Sequence, residues 1–208
     1  MAARLGIEDT GRRSLTRVDL LAQASGIDVP GFVVRHTTLP IRRAVTSFRP
    51  DLQHGSGDGI ALLWRSALQP ARPGAYACPA CVDEDLDFHG FSYWRRIHQI
   101  PGLHFCQKHP KQALSFVRDS HALRMAPSVA IALGTVPESA WLKTIRHSRA
   151  VARFTEICSE LLSMDRPAAA SAMAKLVKEK CRAKGLNVHR RPTKELLSDH
   201  VLRTFPSN

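Results

Sequence analysis

Cys78 and Cys81 are separated by two residues in C-P-A-C. After twenty-four intervening residues, Cys106 and His109 repeat that spacing in C-Q-K-H. Each half has the spacing with which a short turn presents two ligands to one metal ion. Three thiolates and one imidazole then complete a closed tetrahedral zinc site of the Cys3His type. Pro79 and Gly102 suit the sharp turns that aim such ligands inward. The pattern also constrains the fold, because it brings two distant segments to one point. Modules below about 40 residues rarely fold on their own core, and structural zinc supplies on the order of 10 kcal/mol at neutral pH. Replacing Cys78, Cys81 or Cys106 by Ser is therefore expected to unfold this part of the chain.

The site reads as structural. A catalytic zinc keeps a position open for water beside three protein ligands, and here four ligands are already in hand. His98 and His104 lie between the halves and compete with His109 for the fourth place. His104 fits less well: it lies two residues before Cys106 in an apolar run with Leu103 and Phe105, where alternation turns it away from its neighbours. His98 reads better as a helix residue beside Trp94.

The same stretch carries a family resemblance. Cys78-Pro79-x-Cys81 is followed by Glu84-Asp85, then by Gly90-Phe91-x-Tyr93-Trp94-Arg95-Arg96-x-His98-Gln99-x-Pro101-Gly102, and finally by Cys106-x-Lys108-His109. This series resembles the signature of the TniQ family, the target-selecting subunits of bacterial transposition systems. The segment from His36-Thr37-x-Leu39-Pro40 to Tyr76 resembles the family's N-terminal part more loosely, and the start of the chain looks divergent. The resemblance implies a zinc-stabilised, mostly helical protein without catalytic residues. It further implies binding to DNA or to a DNA-bound guide-RNA (CRISPR) effector, and recruitment of the transposition AAA+ ATPase; a homodimer is left open. A second zinc module is common in the family, but only Cys158 and Cys181 remain here, unpaired, so a single Zn2+ is expected.

Composition agrees. The chain has 208 residues, of which 44% are hydrophobic, enough for an ordinary core. It contains no run of eighteen apolar residues, and Met1-Ala2-Ala3-Arg4 leads into charge, so neither a membrane span nor a secretory signal is expected. Five cysteines, three of them with ligand spacing, favour a reducing, cytoplasmic setting over a disulfide scaffold. The net charge is +12, and residues 126–208 carry 14 Lys and Arg against 7 acids. Such a balance attracts polyanions.

The expected fold is mainly α, with a small zinc-ribbon module and C-terminal helices of helix-turn-helix type. Three regions are expected: an N-terminal helical segment at 1–74, the Cys3His zinc-ribbon module at 75–125, and a basic helical domain at 126–208. Thr16 reads as a helix cap with Leu15 as its hydrophobic staple, and Gly26 as the stop. Pro40 starts a segment to about Phe48. Residues 50–59 read as an exposed loop whose glycines lack the Lys-Ser/Thr of a phosphate-binding loop, and Ile60–Leu68 as a short helix. Asp83-Glu84-Asp85 reads as first-turn acid offsetting a helix dipole. Gly90–Gln99 is expected to be helical, with Tyr93, Trp94 and Ile97 inward and one of Arg95 and Arg96 paired near Asp85 or Asp87.

Farther on, Ser139–Met164 reads as helix, with or without a break near His147. Its apolar face holds Val151, Phe154, Ile157, Cys158, Leu161 and Leu162. Pro167 begins a helix to Gly185 with Met173, Leu176, Val177 and Cys181 inward. A basic link then leads to a last helix capped by Thr193. This helix, turn and helix rhythm matches what a helix-turn-helix presents to DNA. Arg190, Arg191 and Lys194 are the candidate contacts, Lys178, Lys184 and Arg203 the candidate phosphate contacts, and Arg95 and Arg96 further candidates for an anionic partner. A zinc-ribbon regulator of transcription would use the same contacts without transposition. A zinc hydrolase or nuclease fits poorly, because consecutive acids at 83–85 diverge instead of converging on an open metal.

Overall fold

The computed structural model describes residues 16–56, 74–119, 121–134, 140–186 and 197–204. Among these the chain is mainly helical with a few short strands. It divides into two units, one from 1–69 with 160–170 and one from 70–159 with 171–208.

In the first unit, helix α1 (Arg17–Ala24) starts on a capping box: the Thr16 hydroxyl accepts from the Asp19 N–H at 3.2 Å, and the Asp19 carboxylate accepts from the Thr16 N–H at 2.6 Å. It ends at Ser25 and Gly26, the latter at φ +68°. Leu15, the expected staple, lies outside the described residues. Helix α2 (Val29–His36) was not expected from the sequence. Asp28 caps it by accepting from Gly31 N–H, and Pro30 sits in the first turn, where its missing N–H costs nothing. Helix α3 (Leu39–Arg42) also has Pro40 in its first turn but stops after one turn, short of the expected Phe48. Strand β1 (Val45–Thr46) follows instead and pairs in parallel with β4 (Ala168–Ala169). Val33 and Leu39 form the small core here, with Val18 and Val29 against them. The Gly55 backbone, at φ +79°, approaches Val33 so closely that a Cβ would lie 2.7 Å from it. The expected helix at Ile60–Leu68 lies outside the described residues.

The second unit opens with β2 (Ala75–Ala77), antiparallel to β3 (Ser115–Val117), with Tyr76 opposite Phe116. Between them runs helix α4 (Pro79–His89), closed by Gly90 in the left-handed region at φ +73°. Gly90 therefore ends a helix instead of opening one. The segment after it is irregular until a single 3-10 turn, Arg96–Gln99. Side chains fasten that segment. Gln99 Nε2 donates to the Tyr76 carbonyl at 2.6 Å, and its Oε1 accepts from Tyr76 N–H at 3.1 Å, so the amide acts as a third strand on the edge of β2. Trp94 Nε1 donates to the Met125 carbonyl at 2.8 Å, and its ring packs on the cluster of Ala75, Val117, Ala122 and Ala130. Trp94 is thus core packing, as its sequence setting suggested, whereas Tyr93 is exposed and Ile97 half-buried.

After a 3-10 turn at Ala122–Arg124 come α5 (Pro127–Leu133), α6 (Ala140–Ile145) and α7 (Arg149–Leu162). Helices α6 and α7 are separate, with a break at His147 that the sequence left open. Cys158 and Leu162 are buried on α7, while Ile157 is turned outward. Helix α8 spans Ala170–Ala183, three residues later than Pro167, and ends before Gly185 at φ +71°. Of its expected inward face only Cys181 is buried and Met173 half-buried; Leu176 and Val177 are exposed, since no described element covers that side. Helix α9 spans Leu197–Thr204. The link between α8 and α9, with Thr193, lies outside the described residues beyond Leu186.

Candidate metal centre

Two short turns build the centre. Cys78 ends β2 and caps α4, and Pro79 occupies the first helical position, where no N–H is needed. The Val82 N–H donates to the Cys78 carbonyl at 3.1 Å, closing the first turn and carrying Cys81 back toward Cys78. The second turn is closed by Cys106 N–H on the Gln112 carbonyl at 3.0 Å and by Gln112 N–H on the His109 carbonyl at 2.8 Å. Gly102, at φ +82°, bends the chain ahead of it where a Cβ would press on Phe154.

The four donor atoms all lie within 4.8 Å of one another. Cys81 Sγ is 3.5 Å from Cys106 Sγ, and His109 Nδ1 lies 3.5, 3.4 and 3.7 Å from the sulfurs of Cys78, Cys81 and Cys106. Zn–S bonds of about 2.3 Å and Zn–N bonds of about 2.0 Å place tetrahedral ligands roughly 3.5–3.8 Å apart. The observed separations match that, and they are far too long for disulfides. All three cysteines are buried and His109 is half-buried. The site can hold a metal ion, its donor set fits zinc, and no fifth group is needed. Neither His98 nor His104 belongs to the set of four.

Electrostatics favour a divalent cation here. The Cys78 thiol is pushed up, first by its hydrogen bond with Cys106 and then by burial. Burial first, then Cys106, pushes Cys81 up to about 11. Cys106 is pushed down, first by Cys78 and, against burial, also by His98 and the His109 N–H. One thiolate is tolerated and three are not; a metal ion removes that repulsion and releases protons as it binds. The thiolates of the first turn also sit at the positive end of α4.

A ring of supporting side chains surrounds the four residues; of their roles, the sequence indicated only a pairing of Arg95 or Arg96 near Asp85 or Asp87, and Arg95 makes it. His109 Nε2 faces Glu84 Oε1 at 3.1 Å, so a proton held there leaves Nδ1 free to face the sulfurs. Lys108 holds the other Glu84 oxygen at 2.5 Å. The hydrogen bond with Lys108 first, then that with His109, lowers the Glu84 carboxyl. Arg95 pairs with buried Asp85 at 2.6 Å, and its charge also holds Cys81 down. The acids at 83–85 consequently lie past the first turn of α4, and two of them work as partners to named side chains instead of offsetting a dipole. The sequence signal was present in the shared spacing, since Glu84 and Cys81 lie three apart on one helix, but a carboxylate partner can only be identified once His109 is in place.

The described basic candidates stand on separate elements of the chain. Arg95 is engaged by Asp85 and lies over the Tyr93 ring at 4.8 Å. Arg96 is half-buried, and burial lowers its guanidinium. Lys178 is exposed on α8, Lys184 is exposed just past its end, and Arg203 is exposed on α9. Arg190, Arg191 and Lys194 lie outside the described residues.

Fold and site together define a mainly helical protein built around a Cys3His cluster that two sharp turns assemble. The chain belongs to the TniQ family, whose family model, described as TniQ, matches residues 3–112. That span includes all four clustered residues and takes in nearly all of the start that looked divergent. Membership implies a role in transposition-associated target selection, and the family's proteins are non-catalytic adaptors. No curated protein and no solved structure matches the chain. Among the described residues no helix is long and apolar enough to cross a membrane.

Proposed function

We propose that this chain is a non-enzymatic adaptor that selects target sites for a bacterial transposition system. It binds DNA, or a DNA-bound effector that is itself RNA-guided, and recruits the transposition AAA+ ATPase in the cytoplasm. The observation that carries this reading is the family match over residues 3–112, which takes in the whole cluster of Cys78, Cys81, Cys106 and His109. One zinc ion, held by these four residues, supplies the cross-link that orders the module at 75–125. Zinc contributes no reaction step, because all four positions of a tetrahedral ion are taken by protein.

In this reading the basic domain at 126–208 meets nucleic acid. Lys178 on α8, Lys184 just past its end and Arg203 on α9 contact phosphate, and Arg190, Arg191 and Lys194, between those helices in sequence, contact the nucleic acid. Arg96 and Arg95 add positive charge near the metal module, Arg95 with less reach because Asp85 holds it. The net charge of +12 supports long-range attraction to a polyanion. A regulator of transcription would share these contacts and lack the ATPase.

Elemental analysis of protein purified without chelator, with a Cys106→Ser variant beside it, tests the metal. One zinc per chain, lost in the variant, is expected; a metal-free wild-type protein refutes it. Co-elution with the ATPase on a target duplex separates adaptor from regulator. Duplex binding without ATPase retention leaves only the regulator.

A further inference from the structure

We propose that the cavity between the second turn of the metal centre and the start of α7 seats one large apolar side chain of a protein partner, with an acidic neighbour of that side chain on Arg146. The cavity holds about 200 Å³. That is below the roughly 300–1,000 Å³ of pockets that take whole small-molecule ligands, so it suits a single anchoring residue. Phe105 and Pro110 line it from the metal turn, and Val151 and Ala152 from the first turn of α7. The two walls are tied together. Ser159 on α7 donates to Gln107 Oε1 at 2.9 Å, and the bend at Gly102 passes close to the Phe154 ring.

The polar lining selects the occupant. Gln107 accepts from Ser159, the Thr155 hydroxyl donates to the Val151 carbonyl at 3.0 Å, and Glu156 accepts from Arg153 at 2.9 Å. With these groups turned to the protein, a nucleobase in the cavity would leave N–H and carbonyl groups of its edge unpaired. An apolar side chain gives up only its contact with water, which favours entry. Arg146 stands apart from the other polar groups. It is exposed just past α6, its guanidinium lies 5.8 Å from the centroid of the Phe105 ring, and among the described residues it forms no ion pair. Because Arg153 neutralises Glu156, the charge left at the cavity is that of Arg146. A carboxylate next to the apolar anchor meets it. A second copy of this chain, at net charge +12, would bring mostly like charge to the same cation. The proposal deepens the adaptor reading and rests on it only for the existence of a protein partner.

The test uses the full-length, zinc-loaded chain and follows binding by NMR titration of its amide signals. The ligand is a short capped peptide with an Asp-Phe-Asp centre in a Gly/Ser frame. Controls replace its Phe by Ala or its Asp residues by Lys, and a single-stranded oligonucleotide is titrated beside them. Two variants are compared with wild type: Ala152→Trp, which fills the cavity from an exposed helix position, and Arg146→Ala. The Asp-Phe-Asp peptide is expected to bind wild type and to lose about tenfold or more in affinity in each variant. Each control peptide is expected to bind wild type about tenfold more weakly. Absent binding, equal binding in all three proteins, or equal binding of the Lys control overturns the proposal. Oligonucleotide binding lost in Ala152→Trp, with peptide binding unchanged, overturns it in favour of a base pocket. A wild-type dimer that Ala152→Trp dissociates, with peptide binding unchanged, overturns it in favour of a second copy. Duplex affinity, which Ala152→Trp is expected to keep, reports separately on the adaptor reading.

Discussion

Glu84 illustrates how one carboxylate can set the chemistry of a neighbour. By accepting from His109 Nε2 it orients the ring so that Nδ1 meets the three sulfurs. Glu84→Ala is expected to lower zinc affinity by about 10–100-fold, measured by competition with a chromophoric chelator, while helical content with excess zinc is retained. His54 makes a second residue-scale case. It is fully buried, and among the described residues neither ring nitrogen has a hydrogen-bond partner. Burial first, then the Arg43 charge, lowers it from 6.5 to about 4, while Asp165 pulls the other way. The folded state thus favours neutral imidazole, and the unfolded chain takes up the proton first. The contribution is complete above pH 6.5 and is lost as pH falls toward about 4, on the order of 3 kcal/mol in all. Urea midpoints at neutral pH and at about pH 4.5 should diverge more for wild type than for His54→Phe. Equal divergence would show that His54 does not titrate as its burial requires.

At the scale of elements, β2 and β3 depend on Gly74. It lies at φ +72°, and a Cβ there would overlap the Phe116 ring and the Val117 carbonyl. Gly74→Ala is expected to destabilise the second unit by about 2–4 kcal/mol, read from denaturant unfolding with zinc present. Capping rules transferred well from sequence to structure: Thr16, Gly26 and Gly185 all bound helices. They worked because each acts within one turn of chain. The segment from Gly90 to Gln99 was misread as helix for the opposite reason. Its Trp94, Arg95 and Gln99 are satisfied by Met125, Asp85 and Tyr76, partners that local periodicity does not report. Helix α2 was overlooked because Pro30 and Gly31 suggest a turn, although both are tolerated at a helix start once Asp28 caps it.

For the whole molecule, zinc and charge make separable predictions. Chelation is expected to remove the cooperative thermal transition of the 75–125 module, and added zinc to restore it; circular dichroism at the two metal levels reads this. Duplex affinity is expected to fall linearly with the logarithm of salt. Replacing both Lys178 and Lys184 by Ala should reduce that slope by about 2, with little change in sequence preference. An unchanged slope would remove α8 from the interface.

The amino-acid sequence alone pointed to the four clustered residues, the family resemblance and the helical bias, because Cys/His spacing and helix caps are properties of a few adjacent residues. Tertiary structure alone decided that Glu84 supports His109, that it is Arg95 and not Arg96 that Asp85 holds, that Gln99 borders a sheet, and that Phe88 and Phe91 stand in solvent. Each of those facts depends on what lies across from a side chain. Such pairings arise when the metal ligands and the two strands close the chain between them, bringing together residues that spacing along the chain leaves apart.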